Sequence, residues 1–138
     1  MPEKKNCTDA MASSSNQTVA VVDDHRYLRE SLKDLLEAAG YECELYESAE
    51  RFLNEKGYSL VDCILADVRM PGMSGVEMLQ ALSRMPSHPP VIIMTAHGDK
   101  DVEAAVFQAG AIAFLKKPVN ADLLMSWLER AISEYRAG

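Results

Sequence analysis

The stretch Val61-Asp62-Cys63-Ile64-Leu65-Ala66-Asp67-Val68-Arg69-Met70-Pro71-Gly72-Met73-Ser74-Gly75-Val76-Glu77 decides the fold. Its apolar run, residues 61–66, scarcely alternates with polar residues, the pattern of a strand covered by helices on both faces. Pro71-Gly72 breaks the run. Ser74 and Glu77 then have the spacing of a capping box, which predicts a helix to about Met85. This is a strand, a loop and a helix in succession, one βα unit.

The unit repeats in both directions. Upstream, Val19-Ala20-Val21-Val22 reads as a first strand and residues 25–39 as a helix, with Leu28, Leu32, Leu35, Leu36 and Ala39 on one stripe. Gly40 can end that helix in a left-handed conformation. A weaker strand covers Glu42–Tyr46, and Ser48 can cap a helix over residues 49–56. Downstream, Pro86, Pro89 and Pro90 close the helix and admit Val91-Ile92-Ile93-Met94, which ends in Thr95. Asp99 caps a helix that puts Val102, Ala105, Val106 and Ala109 on one face and ends at Gly110. A fifth strand, Ile112-Ala113-Phe114-Leu115, precedes a last helix from about Asn120, with Leu124, Trp127, Leu128, Ala131, Ile132 and Tyr135 on one side. Five βα units predict the α/β class with a parallel sheet. Right-handed crossovers leave few topologies, and the flavodoxin-like three-layer sandwich, strand order 2-1-3-4-5, is the expected one.

The chain has 138 residues and a net charge of −7, enough for one domain with a core. An acidic surface repels a phosphate backbone, so direct contact with nucleic acid is not expected. Cys7, Cys43 and Cys63 are odd in number and lack metal-ligand spacing, which points to a reducing, cytoplasmic compartment. No apolar run suits a signal peptide or a membrane span. Residues 1–17 are polar and aperiodic and are expected to be a disordered leader. Residues 18–136 are expected to form the single domain, with no output domain in this chain.

The strand ends carry the chemistry. Asp23-Asp24, Asp67, Thr95 and Lys117 each follow or close a strand, and in a parallel sheet such ends share one edge, where ligands bind. Carboxylates gathered there repel one another unless they protonate or recruit positive charge. A divalent cation is one such charge, and a carboxylate beside it can take a phosphoryl group. Taken singly, Asp67 also reads as a turn aspartate, and the Asp23-Asp24 pair as a cap for the helix at His25.

Val22-Asp23-Asp24, Asp67 through Gly75, Met94-Thr95-Ala96-His97-Gly98-Asp99 and Phe114-Leu115-Lys116-Lys117-Pro118 together resemble the four motif blocks of bacterial response-regulator receiver domains. The resemblance covers residues 18 to about 136, and the wording is most like the nitrogen-fixation (FixJ) type. It implies a phosphoryl-accepting switch of a two-component system rather than an enzyme acting on external substrate. Asp67 would be the phosphoacceptor, with Lys117 and Thr95 contacting the phosphoryl oxygens. Mg²⁺ (or Mn²⁺) would be held by Asp23, Asp24, Asp67 and the backbone carbonyl of Arg69. Thr95 and Phe114 would form the switch pair, Phe114 also reading as an ordinary buried aromatic. The Lys117–Pro118 peptide is expected to be cis.

The implied partners are a sensor histidine kinase, a second receiver on phosphorylation, and an output DNA-binding domain where a longer protein carries one. Phosphorylation should remodel the face around Val106, Phe107 and Met125, which also read as routine core. Arg69 and His97 should flank the pocket mouth. Strand alternation lets only one of Lys116 and Lys117 enter the site, and the family's Lys-Pro spelling selects Lys117. Three rivals remain. A pseudo-receiver would work by protein contact alone. An aspartate-nucleophile phosphatase of the haloacid-dehalogenase type would need a second aspartate where Arg69 stands. A flavin domain would need a phosphate cradle that His25-Arg26 does not provide.

Overall fold

The computed structural model describes residues 17–96, 98 and 100–137. The expected leader (apart from Gln17), the cap at Asp99 and the pocket-mouth position of His97 lie outside the described residues.

Five strands, β1 (Thr18–Val22), β2 (Glu42–Tyr46), β3 (Cys63–Asp67), β4 (Val91–Thr95) and β5 (Ala113–Lys116), alternate with α1 (Arg26–Ala38), α2 (Ala49–Asn54), α3 (Gly75–Ser83), α4 (Lys100–Gln108) and α5 (Ala121–Ala137). All pairings are parallel, in the order β2-β1-β3-β4-β5. The expected topology is the observed one.

Alternate residues of each strand feed two separate cores. Ala20, Val22, Ile64, Ala66, Val91 and Ile93 pack with Phe52, Met78, Leu79, Leu82 and Val106, residues of α2, α3 and α4. Val19, Val21, Cys63, Leu65, Ile92 and Met94 pack with Leu32, Leu36, Leu124, Leu128 and Ile132, residues of α1 and α5. Strands β1, β3 and β4 are thus apolar on both sides, which explains the unbroken runs in the sequence. Edge strand β2 has only Tyr46 buried and alternates. Among the described residues no helix is long and apolar enough to cross a membrane.

Local chemistry sets the helix ends. The Ser74–Glu77 capping box forms in both directions. Ser48 accepts from Arg51 N and Asn120 Oδ1 from Leu123 N. Gly40 and Gly110 close α1 and α4 with φ of +97° and +112°. The helix expected over residues 49–56 is shorter. Lys56 adopts φ +57°, and a 3₁₀ turn (Gly57–Ser59) follows. Gly57 sits tight against Phe52 and the Tyr46 hydroxyl, so the chain turns over the aromatic group Tyr46, Phe52 and Tyr58 instead of extending the helix.

Candidate functional site

Because the strands are parallel, their carboxyl ends meet at one edge. There Asp23 follows β1, Asp67 closes β3, Thr95 closes β4 and Lys117 follows β5. Lys117 Nζ donates to Asp67 Oδ2 at 2.9 Å and to Asp23 Oδ2 at 3.0 Å. This one amine joins groups 50 and 94 residues away in sequence. Its backbone is held as well, Lys117 N donating to Thr95 O at 2.8 Å. The adjacent lysine points elsewhere: Lys116 pairs with Thr95 in the sheet register and is exposed. The Lys117–Pro118 peptide is cis, as expected.

Asp23 is fully buried, Asp67 9% exposed and Thr95 1% exposed. Burial of an ammonium lowers its pKa, and this is the largest single influence on Lys117. The hydrogen bonds and charges of Asp67 and Asp23 together outweigh it and raise the group above its ordinary value. Lys117 is therefore a fixed cation at neutral pH. Asp23 Oδ1 accepts from His25 N at 2.8 Å, and Asp67 Oδ1 from Arg69 N at 3.2 Å.

Asp23, Asp24 and Asp67 offer carboxylate oxygens that all lie within 4.8 Å of one another, Asp24 being exposed. Oxygens around a Mg²⁺ at 2.0–2.1 Å stand about 3 to 4 Å apart, so small side-chain rotations would complete the set. Hard carboxylate oxygens with an open side toward water suit Mg²⁺ or Mn²⁺. The donor set fits the cation named from the sequence.

Two alternatives that the sequence left open are decided by the structure. Asp24 does not cap α1; His25 does, its Nδ1 accepting from Leu28 N at 3.3 Å, while Asp23 binds the loop. Val106 is fully buried and lines the core on the α4 side, so it cannot belong to an exposed contact face. Phe107 is 44% exposed and Met125 half-buried. Phe114 is half-buried, 6.5 Å from the Phe107 ring. A Cβ on Gly98 would meet the Phe114 ring at 2.7 Å and Thr95 Cγ2 at 3.1 Å, so the ring rests against the β4–α4 loop at a point where only glycine fits.

Some contributors had no signal in the sequence. Arg29 Nη1 donates to the Asp23 carbonyl at 2.6 Å and fixes the β1–α1 loop from the first turns of α1. Glu50 reaches from α2 to the backbone of the β3–α3 loop. Arg29 stands six residues after Asp23, which is no helical pairing, and both Arg29 and Glu50 are tied to their loops only by the fold.

Comparison with known proteins now bears on this geometry. The family described as "Response regulator receiver domain" matches residues 19–129. The chain belongs to this family. It is 37% identical over 116 residues to the transcriptional regulatory protein FixJ of Bradyrhizobium diazoefficiens, covering 84% of this chain and 57% of that protein. It is 39% identical over 118 residues to the DNA-binding transcriptional regulator NtrC of Escherichia coli K12, covering 86% of this chain and 25% of that one. The receiver thus spans about half of FixJ and a quarter of NtrC. Among solved structures, full-length FixJ from B. japonicum superimposes with a TM-score of 0.79 at 36% identity, over 86% of this chain and 59% of that one. A receiver domain protein from Clostridium thermocellum does so at 0.81 and 30% identity, over 88% and 98%.

Proposed function

We propose that this receiver takes a phosphoryl group from a phosphohistidine of a sensor histidine kinase onto Asp67. An Asp67 carboxylate oxygen attacks phosphorus, the phosphorus–nitrogen bond breaks, and the electron pair leaves with the imidazole. The product is an acyl phosphate on the protein, and water later cleaves it to restore the carboxylate. This is self-modification, not turnover of an external substrate.

The chain's own residues do the positioning. Lys117 already touches Asp67 and is placed to follow the charge onto a phosphoryl oxygen. Asp23, Asp24, Asp67 and the Arg69 carbonyl would hold Mg²⁺ or Mn²⁺, which would neutralise phosphoryl charge during transfer. Thr95, closing the neighbouring strand, would donate its hydroxyl to the bound phosphoryl group, and Phe114 beside it would follow. The added group carries about two negative charges at neutral pH, and bonding it in only one of two arrangements is what shifts the equilibrium between them.

The exposed Phe107 and the half-buried Met125 lie on elements flanking β5 and are the surface proposed to meet a second receiver or an output domain. Because FixJ and NtrC are longer transcription regulators, control of transcription through an attached DNA-binding domain is the proposed output. The cytoplasm is the proposed compartment, on the free thiols of Cys43 and Cys63.

The observation that carries this reading is the single lysine bridging two acids at the strand ends, with a third acid close enough to share a cation. Acetyl phosphate with Mg²⁺ tests it by mass spectrometry. The wild type should gain about 80 Da, one phosphoryl group, and Asp67→Asn should gain nothing. Equal gain by both proteins would exclude Asp67. No gain by either would favour the pseudo-receiver.

A further inference from the structure

Glu50 stands outside the acid–lysine cluster, in the first turn of α2. Its Oε2 accepts a hydrogen bond from Met73 N at 2.8 Å, a link between elements 23 residues apart. The preceding residue, Gly72, lies close against the same oxygen. Gly72 has φ +79°, and a Cβ there would run into Glu50 Oε2. The Met73 N–H is the main cause holding the Glu50 carboxyl below its ordinary value, so the ionised form makes the bond.

The same loop is fastened at its roots. Gly75 N donates to Val68 O at 2.9 Å, and a Cβ on Gly75 would strike the Asp67 carbonyl. Arg69 N donates to Asp67 Oδ1. Residues 67–75 thus hold the phosphoacceptor at one end and the α3 cap at the other. Glu50 ties the tip of that arch to a separate helix.

We propose that Glu50 is a positioning residue for the β3–α3 loop, one that sets the Arg69 carbonyl in place for the divalent cation before the cation arrives. This rests on the metal-binding reading above. A carbonyl already fixed costs the incoming cation little ordering. With the tie removed, cation binding must also order residues 69–73. Partners that orient a ligand without touching the metal typically change affinity by 10–100-fold. Once the site is filled, the geometry at Asp67 is restored and the chemical step proceeds as before.

The test compares wild type, Glu50→Ala and Glu50→Gln. The glutamine keeps an acceptor oxygen for Met73 N; the alanine does not. The readouts are Mg²⁺ affinity by calorimetry and the rate of acetyl phosphate labelling as a function of Mg²⁺ concentration. Circular dichroism confirms that each variant is folded. Glu50→Ala should raise the half-saturating Mg²⁺ concentration about tenfold and leave the rate at saturation within about twofold of wild type, while Glu50→Gln should stay close to wild type. An unchanged half-saturation in Glu50→Ala overturns the inference. So does a fall in the saturated rate alone, or a Gln variant as impaired as the Ala variant. A wild type indifferent to Mg²⁺ would overturn the metal reading itself, and the wild-type arm shows that failure separately.

Discussion

Replacing Lys117 with Met keeps the apolar stem and removes the charge between Asp23 and Asp67. The amine is 17% exposed, and the acids 0% and 13%, so solvent screens this contact little. At an effective dielectric constant of about 20, two unit charges 3 Å apart interact by roughly 5 kcal/mol, and two contacts would suggest about twice that. The protein need not lose so much, because the cost of desolvating the charges offsets part of the attraction. Removing one partner of a buried pair typically costs about 3–5 kcal/mol, because the remaining charge is left uncompensated. Lys117→Met should therefore lose about 3–5 kcal/mol against urea at pH 7.

Millimolar Mg²⁺ supplies the missing positive charge, so it should stabilise the variant more than the wild type. At the alkaline end the sign follows from the raised Lys117 value. The wild type holds this stabilisation fully below the unfolded lysine value of about 10.4 and loses it as pH climbs through the higher folded one. The variant should show no such loss from this position. A deficit below about 1 kcal/mol at pH 7, or one that millimolar Mg²⁺ does not shrink, would refute the argument that Lys117 neutralises these acids.

Gly98→Ala should force the Phe114 ring from its place, moving its ring resonances and costing about 1–3 kcal/mol; unchanged resonances and melting would show the loop is not tight there. Asp62 accepts from Arg136 Nε at 2.9 Å and Nη2 at 3.0 Å and from Thr18 N at 2.9 Å, tying the end of α5 to the start of β1. With Arg136 45% exposed, Asp62→Asn should cost only about 1 kcal/mol in urea denaturation and leave acetyl phosphate labelling intact; a change in labelling would show that this tie reaches the site. Burial, the largest cause for each, pushes the Cys63 and Cys43 thiols up to about 12. Peptide mapping after treatment with a thiol reagent at about pH 8 should find both unmodified until the chain unfolds, and rapid labelling of native Cys63 would contradict its burial.

The sequence carried the fold because its strongest local signals agreed. The runs around Val21, Ile64 and Ile93 lack alternation for the reason the structure shows, cores on both faces. Ser48 and Ser74 announced helices that begin where those side chains say. The end of α2 was hidden because the aromatic packing of Tyr46, Phe52 and Tyr58, not local propensity, turns the chain at Gly57. At the site, Asp23, Asp24, Asp67 and Lys117 were legible from their places after strands, since parallel topology brings those places together. Val106 read both as core and as contact surface because one helical stripe serves equally for either until the neighbouring strand is known, and the core reading is the observed one. Glu50 and Arg29 escaped notice because each acts on backbone atoms, which no side-chain pattern records.

The central claim is that Asp67, neighboured by Lys117 and two further acids, forms an acyl phosphate. Reduction with borohydride after acetyl phosphate and Mg²⁺ treatment tests it most directly, because only an acyl phosphate is reduced under conditions that spare free carboxylates. Peptide sequencing by mass spectrometry should then read homoserine at position 67, and aspartate there when Mg²⁺ is withheld. Homoserine at position 23 or 24, or aspartate at 67 under full labelling conditions, would contradict the account.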